Sequence, residues 1–389
     1  MMFLRAVPDV VLEVSLDAVR ANFLTVAAQV APSVRTAAVV KSDAYGLGMV
    51  PVAKALVEAG CDFFFVANLE EALLLRSVCP QVPIAVFRDD LRRLSSFYRK
   101  HKLIPVVNNR SDLDILCSFD SRCTYFLNVE TGFSRLGLGF DEMRRLYLAG
   151  TFVRNPPSAV LSHLACSDDV ADPTNSLQKN RFLAACELIK PPRASLAASA
   201  GVWLDKSYHF DMVRVGSALY GLNNAGVQPN PLRPVVRLMA RILEVREVAR
   251  REAVGYGATF RPARRSRLAT IGVGYKHGLP WPSANKISIQ FGEFSAPLVG
   301  RVSMEYIMAD VTDVPESLLR DDMFAEILGT DFTAGHLAEV TGANPQEILT
   351  RLGAGCPKRY RPLTPSPTLD SLLTRGRPVP LALANRPAA

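Results

Sequence analysis

Residues Thr36 to Gly48, TAAVVKSDAYGLG, decide how this chain reads. A short apolar, β-branched run bounded by turn residues is the pattern of a strand covered on both faces, and TAAVV fits it. Lys41 follows at the C-terminal end of that strand. In a barrel of parallel strands the catalytic groups sit at that end, so Lys41 has a chemical reading beside the ordinary one of a solvated surface charge.

The same kind of run recurs on either side of a repeated helical pattern. CDFFFVA, PIAVF, LIPVV, TYFLNV, SAVLSHLA, ASLAAS and MVRVG are further candidate strands up to about Asn223. Between them MVPVAKALVEAG, LEEALLLRSV and SLQKNRFLAACELI place apolar residues three and four apart, as amphipathic helices do. Strand and helix in alternation is the signature of a parallel sheet, and eight strands suggest a closed (β/α)8 barrel; a doubly wound open sheet shares the alternation. After Gly221 the Pro- and Asn-rich QPNPLRP leads into alternating strands with few helices between them. The expected organisation is therefore α/β: a TIM-type barrel over 1–233, a mostly β domain over 234–364, and a proline-rich flexible tail over 365–389.

Composition agrees with a soluble chain large enough for two domains. It has 389 residues, 49% of them hydrophobic and 21% charged. The net charge of +8 has one dense source, RPARRSR at Arg261–Arg267, which lacks interleaved aromatics and reads as a solvated turn rather than a nucleic-acid surface. Seven scattered cysteines without a C-x-x-C pair resemble reduced cytoplasmic thiols more than a disulfide framework or a metal site. The N-terminal MMFLRAVPDV is interrupted before an export signal forms, and no apolar run approaches a membrane span.

Seven more segments follow KSDAYGLG in order: NVETGFSRLGL, LSHLACSDD, LAASAG, HFDMVRVGSALYG, VGYGATF, VGYKHG and GRVSMEYIMADVTDVP. Together they resemble the alanine racemase family, pyridoxal-phosphate enzymes with an eight-stranded barrel followed by a β domain. The resemblance covers nearly the whole chain. It implies that Lys41 holds the cofactor and acts as one base, and that Tyr256 in VGYGATF serves the opposite face of the substrate carbon. A tyrosine suits that role where its neighbours lower a pKa of about 10. Tyr256 is implied to reach the site of a second subunit, which makes a homodimer with shared sites the expected assembly. Arg214 matches the arginine facing the pyridine nitrogen, and His163 the histidine beside it. Tyr45, Ser199, Gly216 and Ser217 match the phosphate positions, although Ser217 replaces a commonly apolar residue. Arg135 and the backbone of Met304 match the grip on the substrate carboxylate, and Tyr275 matches a tyrosine at the mouth.

Several positions depart from the family. Asn128 stands where many relatives carry a carbamate-modified lysine, so an uncharged amide is expected to steady Arg135. Ala198 replaces a frequent asparagine, and Lys276, His277 and Glu305 replace a small residue and two aspartates. The implied substrate is a small amino acid, alanine first, with another such as serine as the alternative. A non-catalytic pyridoxal-phosphate carrier is a second alternative, but such single-barrel relatives lack the domain that bears Tyr256. A decarboxylase of similar architecture would have an acidic partner for the ring nitrogen, against which Arg214 argues despite Cys356.

Overall fold

The computed structural model describes residues 8–119, 124–320 and 323–361. Its strands are β1 Val10–Ser15, β2 Arg35–Val39, β3 Phe64–Val66, β4 Ile84–Val86, β5 Leu103–Val107, β6 Phe126–Asn128, β7 Ala159–Leu161, β8 Ala194–Ser195 and β9 Met212–Val215. The chain continues through β10 Val236–Val248, β11 Ser266–Ile271, β12 Ser288–Phe291, β13 Phe294–Val299, β14 Ile307–Asp310, β15 Phe324–Leu328 and β16 Lys358–Arg361.

β2 to β9 pair in parallel in the order β8-β7-β6-β5-β4-β3-β2-β9. A parallel bridge between Ala198 and Arg214 joins the two ends, with the Arg214 N–H donating to the Ala197 carbonyl at 3.0 Å. This closes the barrel. Period-two alternation sorts its side chains. Ala37, Val39, Phe63, Phe65, Ala85, Val106, Phe126, Ala159, Leu161 and Met212 fill the interior, while Ala38, Val40, Phe64, Val66, Ile84 and Val86 pack outward under the helices. Every one of these residues is buried, which is why the barrel strands read as continuous apolar runs.

The second sheet runs β11-β14-β13-β12-β15-β10-β1-β16, and β10 also pairs with β11. The thirteen-residue β10 spans it, with a register shift between Ile242 and Glu244 that lets its two halves serve different neighbours. β1 lies in this sheet, antiparallel to β10 with Leu12 opposite Leu238 and parallel to β16 with Val14 opposite Tyr360. Its alternation of buried and half-buried residues is that of a strand covered on one face, unlike the barrel strands. Residues 10–15 therefore group with the second sheet rather than with the barrel inside the expected 1–233 unit. The division near 233 otherwise stands as a proposal, and the expected tail over 365–389 lies outside the described residues.

Candidate active site

Lys41 continues the inward series Ala37, Val39 by two residues, so the strand's own periodicity turns it toward the barrel mouth. The same step from an interior residue gives Ala67, Phe87, Asn108, Asn128, His163 and Arg214. All of these line one cavity of about 580 Å³.

Immediately after Lys41 the backbone makes a left-handed turn: Ser42, Asp43, Ala44 and Tyr45 have φ of 54°, 53°, 54° and 58°. That conformation costs an L-residue about 1–2 kcal/mol, and here it is held from several sides. The Glu71 carboxylate accepts from the Ser42 N–H at 2.5 Å and the Ala67 N–H at 2.8 Å, while the Asp43 carboxylate accepts from the Met49 N–H at 2.7 Å. Burial, helped by the Arg135 charge and opposed by Glu71, lowers the pKa of the Lys41 amine below its ordinary value. A larger neutral fraction favours work as a nucleophile and base.

Arg214 is 3% exposed and its guanidinium is fixed by backbone. It donates to the Ser195 carbonyl at 2.9 Å, the Ser195 hydroxyl at 2.6 Å, the Ser162 carbonyl and the Leu196 carbonyl at 3.4 Å. Burial brings it down to about 10, which still leaves it charged near neutrality. Beside it, burial and then the Arg214, Arg135 and Lys41 charges push the His163 imidazole down to about 3, so this ring is neutral at ordinary pH.

The other side of the cavity is built for close approach. The Ser199 hydroxyl accepts from the Gly216 N–H at 2.9 Å and the Ala218 N–H at 3.2 Å, opening the short turn Ser217–Tyr220. A Cβ at Gly216 would lie 2.6 Å from the Tyr45 hydroxyl, so a larger residue there would have to push the Tyr45 ring aside. Tyr45 packs on Tyr220 with ring centroids 4.7 Å apart, and Tyr220 donates to the Val39 carbonyl at 3.0 Å.

Arg135 lies 4.2 Å from the Phe133 ring centroid, and Phe133 meets His163 edge to face at 5.3 Å. The expectation that Asn128 steadies Arg135 is not met by a bond among the described residues. The Asn128 amide instead donates to Asn108 at 2.9 Å, and Asn108 donates to the Phe87 carbonyl at 2.7 Å and the Val106 carbonyl at 3.0 Å. The aromatic face of Phe133 is what holds the guanidinium.

Lys41, Tyr45, Arg135, His163, Ser199, Arg214, Gly216 and Ser217 thus meet in one cavity. Tyr256, Tyr275 and Met304 do not line it. They are 71%, 46% and 55% exposed on the second domain of the same chain. The Tyr275 N–H donates to the Ser303 carbonyl and the Lys276 N–H to the Met304 carbonyl, both at 3.0 Å, which joins Tyr275 and Met304 in one ledge. Lys276 pairs with Glu305 at 2.5 Å, so two of the departures from the family offset each other's charge. His277 accepts from the Gly274 N–H at 3.1 Å and helps fold the turn.

Two family models match, the alanine racemase N-terminal domain over residues 14–224 and its C-terminal domain over 235–360. The chain belongs to the alanine racemase family. It is 63% identical over 352 residues to alanine racemase 3 of Mesorhizobium japonicum, covering 90% of this chain and 91% of that one. It is 58% identical over 370 residues to the biosynthetic alanine racemase of the same organism, covering 95% and 92%. Among solved structures, the alanine racemase of Bartonella henselae with covalently bound pyridoxal phosphate superposes with a TM-score of 0.85 at 35% identity, covering 91% of this chain and 100% of that one.

Within the alanine racemase frame, the supporting residues Glu71, Asn108, Phe133, Ser162 and Ser195 are ones the sequence reading did not single out. Glu71 comes from LEEALLL, an ordinary first turn of a helix, and the serines act largely through strand carbonyls. The one signal available was the inward step of two, which finds Phe87 and Asn108.

Proposed function

We propose that this chain is a pyridoxal-phosphate-dependent isomerase that interconverts L- and D-alanine, with Lys41 as one base and Tyr256 of a second copy as the other. The single observation that carries the reading is the placement of Lys41, its amine lowered by burial, in a cavity shared with Arg214, Ser199 and Gly216. The cavity fits the cofactor: glycine at 216 keeps the backbone clear of the Tyr45 hydroxyl, and Arg214 lines the cavity with its guanidinium held by the Ser195, Ser162 and Leu196 carbonyls. When bound, pyridoxal phosphate supplies a conjugated sink for the charge left at the substrate carbon.

The chain's own residues do the rest. Tyr45, Ser199, Gly216 and Ser217 would hold the phosphate, the Gly216 N–H being available to it if the Ser199 hydroxyl gives up the bond it accepts there. Arg214, charged near neutrality, would donate to the ring nitrogen and disfavour its protonation. The neutral His163 lies close enough to Arg214, Arg135 and Lys41 to feel their charges. Arg135 grips the substrate carboxylate with the Met304 backbone, and Tyr275 narrows the pocket. Lys41 and Tyr256 exchange the proton from opposite faces.

Exposure of Tyr256, Tyr275 and Met304 supports a homodimer in which each second domain completes the other copy's cavity. The six described cysteines are free, and among the described residues no helix is long and apolar enough to cross a membrane, which supports a cytoplasmic setting. Purified protein incubated with L-alanine, and separately with L-serine, L-glutamate and L-lysine, tests the substrate. The expected order of kcat/KM is alanine, then serine more slowly, because a small pocket rejects an added hydroxyl only weakly. A preference for glutamate or lysine would overturn the assignment.

A further inference from the structure

Among the described residues that line the Lys41 cavity, Glu130 is the one carboxylate, in the company of Lys41, Arg88, Arg135 and Arg214. Its two oxygens go to the backbone of its own loop rather than to those cations. The Gly132 N–H donates to Oε1, and the Ser134 N–H donates to Oε2 at 2.9 Å. Gly132 has a φ of 130° and Ser134 a φ of 57°, left-handed backbone that only the glycine adopts freely. The base of the loop is anchored without this side chain: the Glu130 N–H donates to the Leu138 carbonyl at 3.0 Å, the Leu138 N–H donates to the Asn128 carbonyl at 2.9 Å, and the Thr131 and Ser162 hydroxyls lie 2.8 Å apart. The tip, which leads directly into Arg135, is what the Glu130 carboxylate ties.

Phe133 sits between the two tied residues, and its ring meets the Arg135 guanidinium at 4.2 Å and the His163 ring at 5.3 Å. Bonds from backbone N–H groups to an ionised carboxylate are among the stronger ones, so they suit a loop that must hold a charged side chain in one place. With its oxygens committed to the backbone, Glu130 leaves the Arg135 guanidinium to an incoming anion. We infer that Glu130 is a positioning residue for the substrate, acting through Arg135 by ordering the loop that aims the guanidinium. The inference rests on the reading of Arg135 as the grip on the substrate carboxylate. Two roles for this acid have opposite signs. Acting by charge, Glu130 would weaken the pull of Arg135 on a carboxylate, and its removal would tighten binding. Acting by geometry, its removal loosens the grip.

The test uses the cofactor-loaded protein and three readouts: kcat and KM for L-alanine, the Kd of propionate, which has the carboxylate without the amine, and the Kd of ethylamine, which has the amine without the carboxylate. Both Kd values are followed by the absorbance of the bound cofactor. Glu130→Ala is expected to raise the alanine KM and the propionate Kd by about tenfold, the scale of one lost hydrogen bond to a charged group. Its kcat should stay within about threefold and its ethylamine Kd within about twofold, since neither depends on the carboxylate grip. Glu130→Gln, which presents one acceptor oxygen in place of two, should fall between. In the Arg135→Ala background, adding Glu130→Gln should change kcat/KM by less than about twofold, because the residue it acts through is gone. Thermal melting checks folding, and Glu130→Gln carries the test if the alanine variant melts early. Tighter propionate binding, equal losses for propionate and ethylamine, no change in either, or full additivity with Arg135→Ala would overturn the inference. Arg135→Ala protein with the wild-type kcat/KM would overturn the carboxylate role of Arg135 itself, and this inference with it.

Discussion

Gly353 rests on the backbone of Gly46, so that a Cβ at 353 would stand 2.1 Å from the Gly46 carbonyl oxygen. The helix of the second domain thereby braces the turn that carries Lys41. β16 braces the same turn, since a Cβ at Gly48 would lie 1.9 Å from the Tyr360 hydroxyl and Lys358 lies 3.5 Å from Asp43. Gly353→Ala is expected to destabilise the chain by about 1–3 kcal/mol, because the contact is backbone to backbone and cannot be relieved by a rotamer change. Urea unfolding measures this. An unchanged midpoint would mean that the two glycines do not touch.

Borohydride should lock the cofactor onto Lys41 and onto no other lysine. Lys41→Ala is expected to lose this label and to lower kcat by about a thousandfold or more. Peptide mapping of the reduced protein decides the point, and a label elsewhere would displace Lys41 from the site.

Mixing Lys41→Ala with Tyr256→Phe subunits should restore activity that neither has alone. In a heterodimer with shared sites, one of the two cavities keeps both bases. Verified subunit exchange without recovery would show that Tyr256 acts on its own chain's cavity or on none.

His163 gives a pH dependence with a definite sign. Its folded value of about 3 is depressed below the unfolded value of about 6.5 by burial and by Arg214, Arg135 and Lys41. The unfolded chain therefore takes up a proton as pH falls from about 6.5 toward 3 while the folded chain does not. Stability is full above that window and is lost as pH falls through it. His163→Asn should lose less stability than wild type between pH 7 and pH 5, read as the urea midpoint at each pH.

Much of the fold was legible because the barrel strands are apolar throughout and the helices between them are periodic. TAAVV and MVRVG, for example, coincide with β2 and β9 to within one or two residues. β1 was not singled out as a strand, and VVLEVS carries nothing local that says which sheet it will join. That choice is made by partners more than two hundred residues away. RPARRSR was read as a solvated turn; Arg264 and Arg265 are exposed there, pairing at the surface with Asp313 and Glu247, and β11 begins at Ser266, where Arg267 donates to the Val314 carbonyl at 2.6 Å. The groups that would touch cofactor or substrate follow short motifs and could be read. The groups that orient them, such as Ser195 under Arg214 and Glu71 under Ser42, meet their targets only in three dimensions.

The pairing of β1 with β10 and β16 also orders events in time. As the chain leaves the ribosome, its first strand emerges with nothing to pair with, while the barrel strands that follow meet neighbours close in sequence. Leu12 finds Leu238 only after more than half of the chain has been made, and Lys358 only when synthesis has reached β16, the last described strand of that sheet. Until then an apolar strand with open edges is exposed to other nascent chains, the stage at which association with the wrong partner competes with folding.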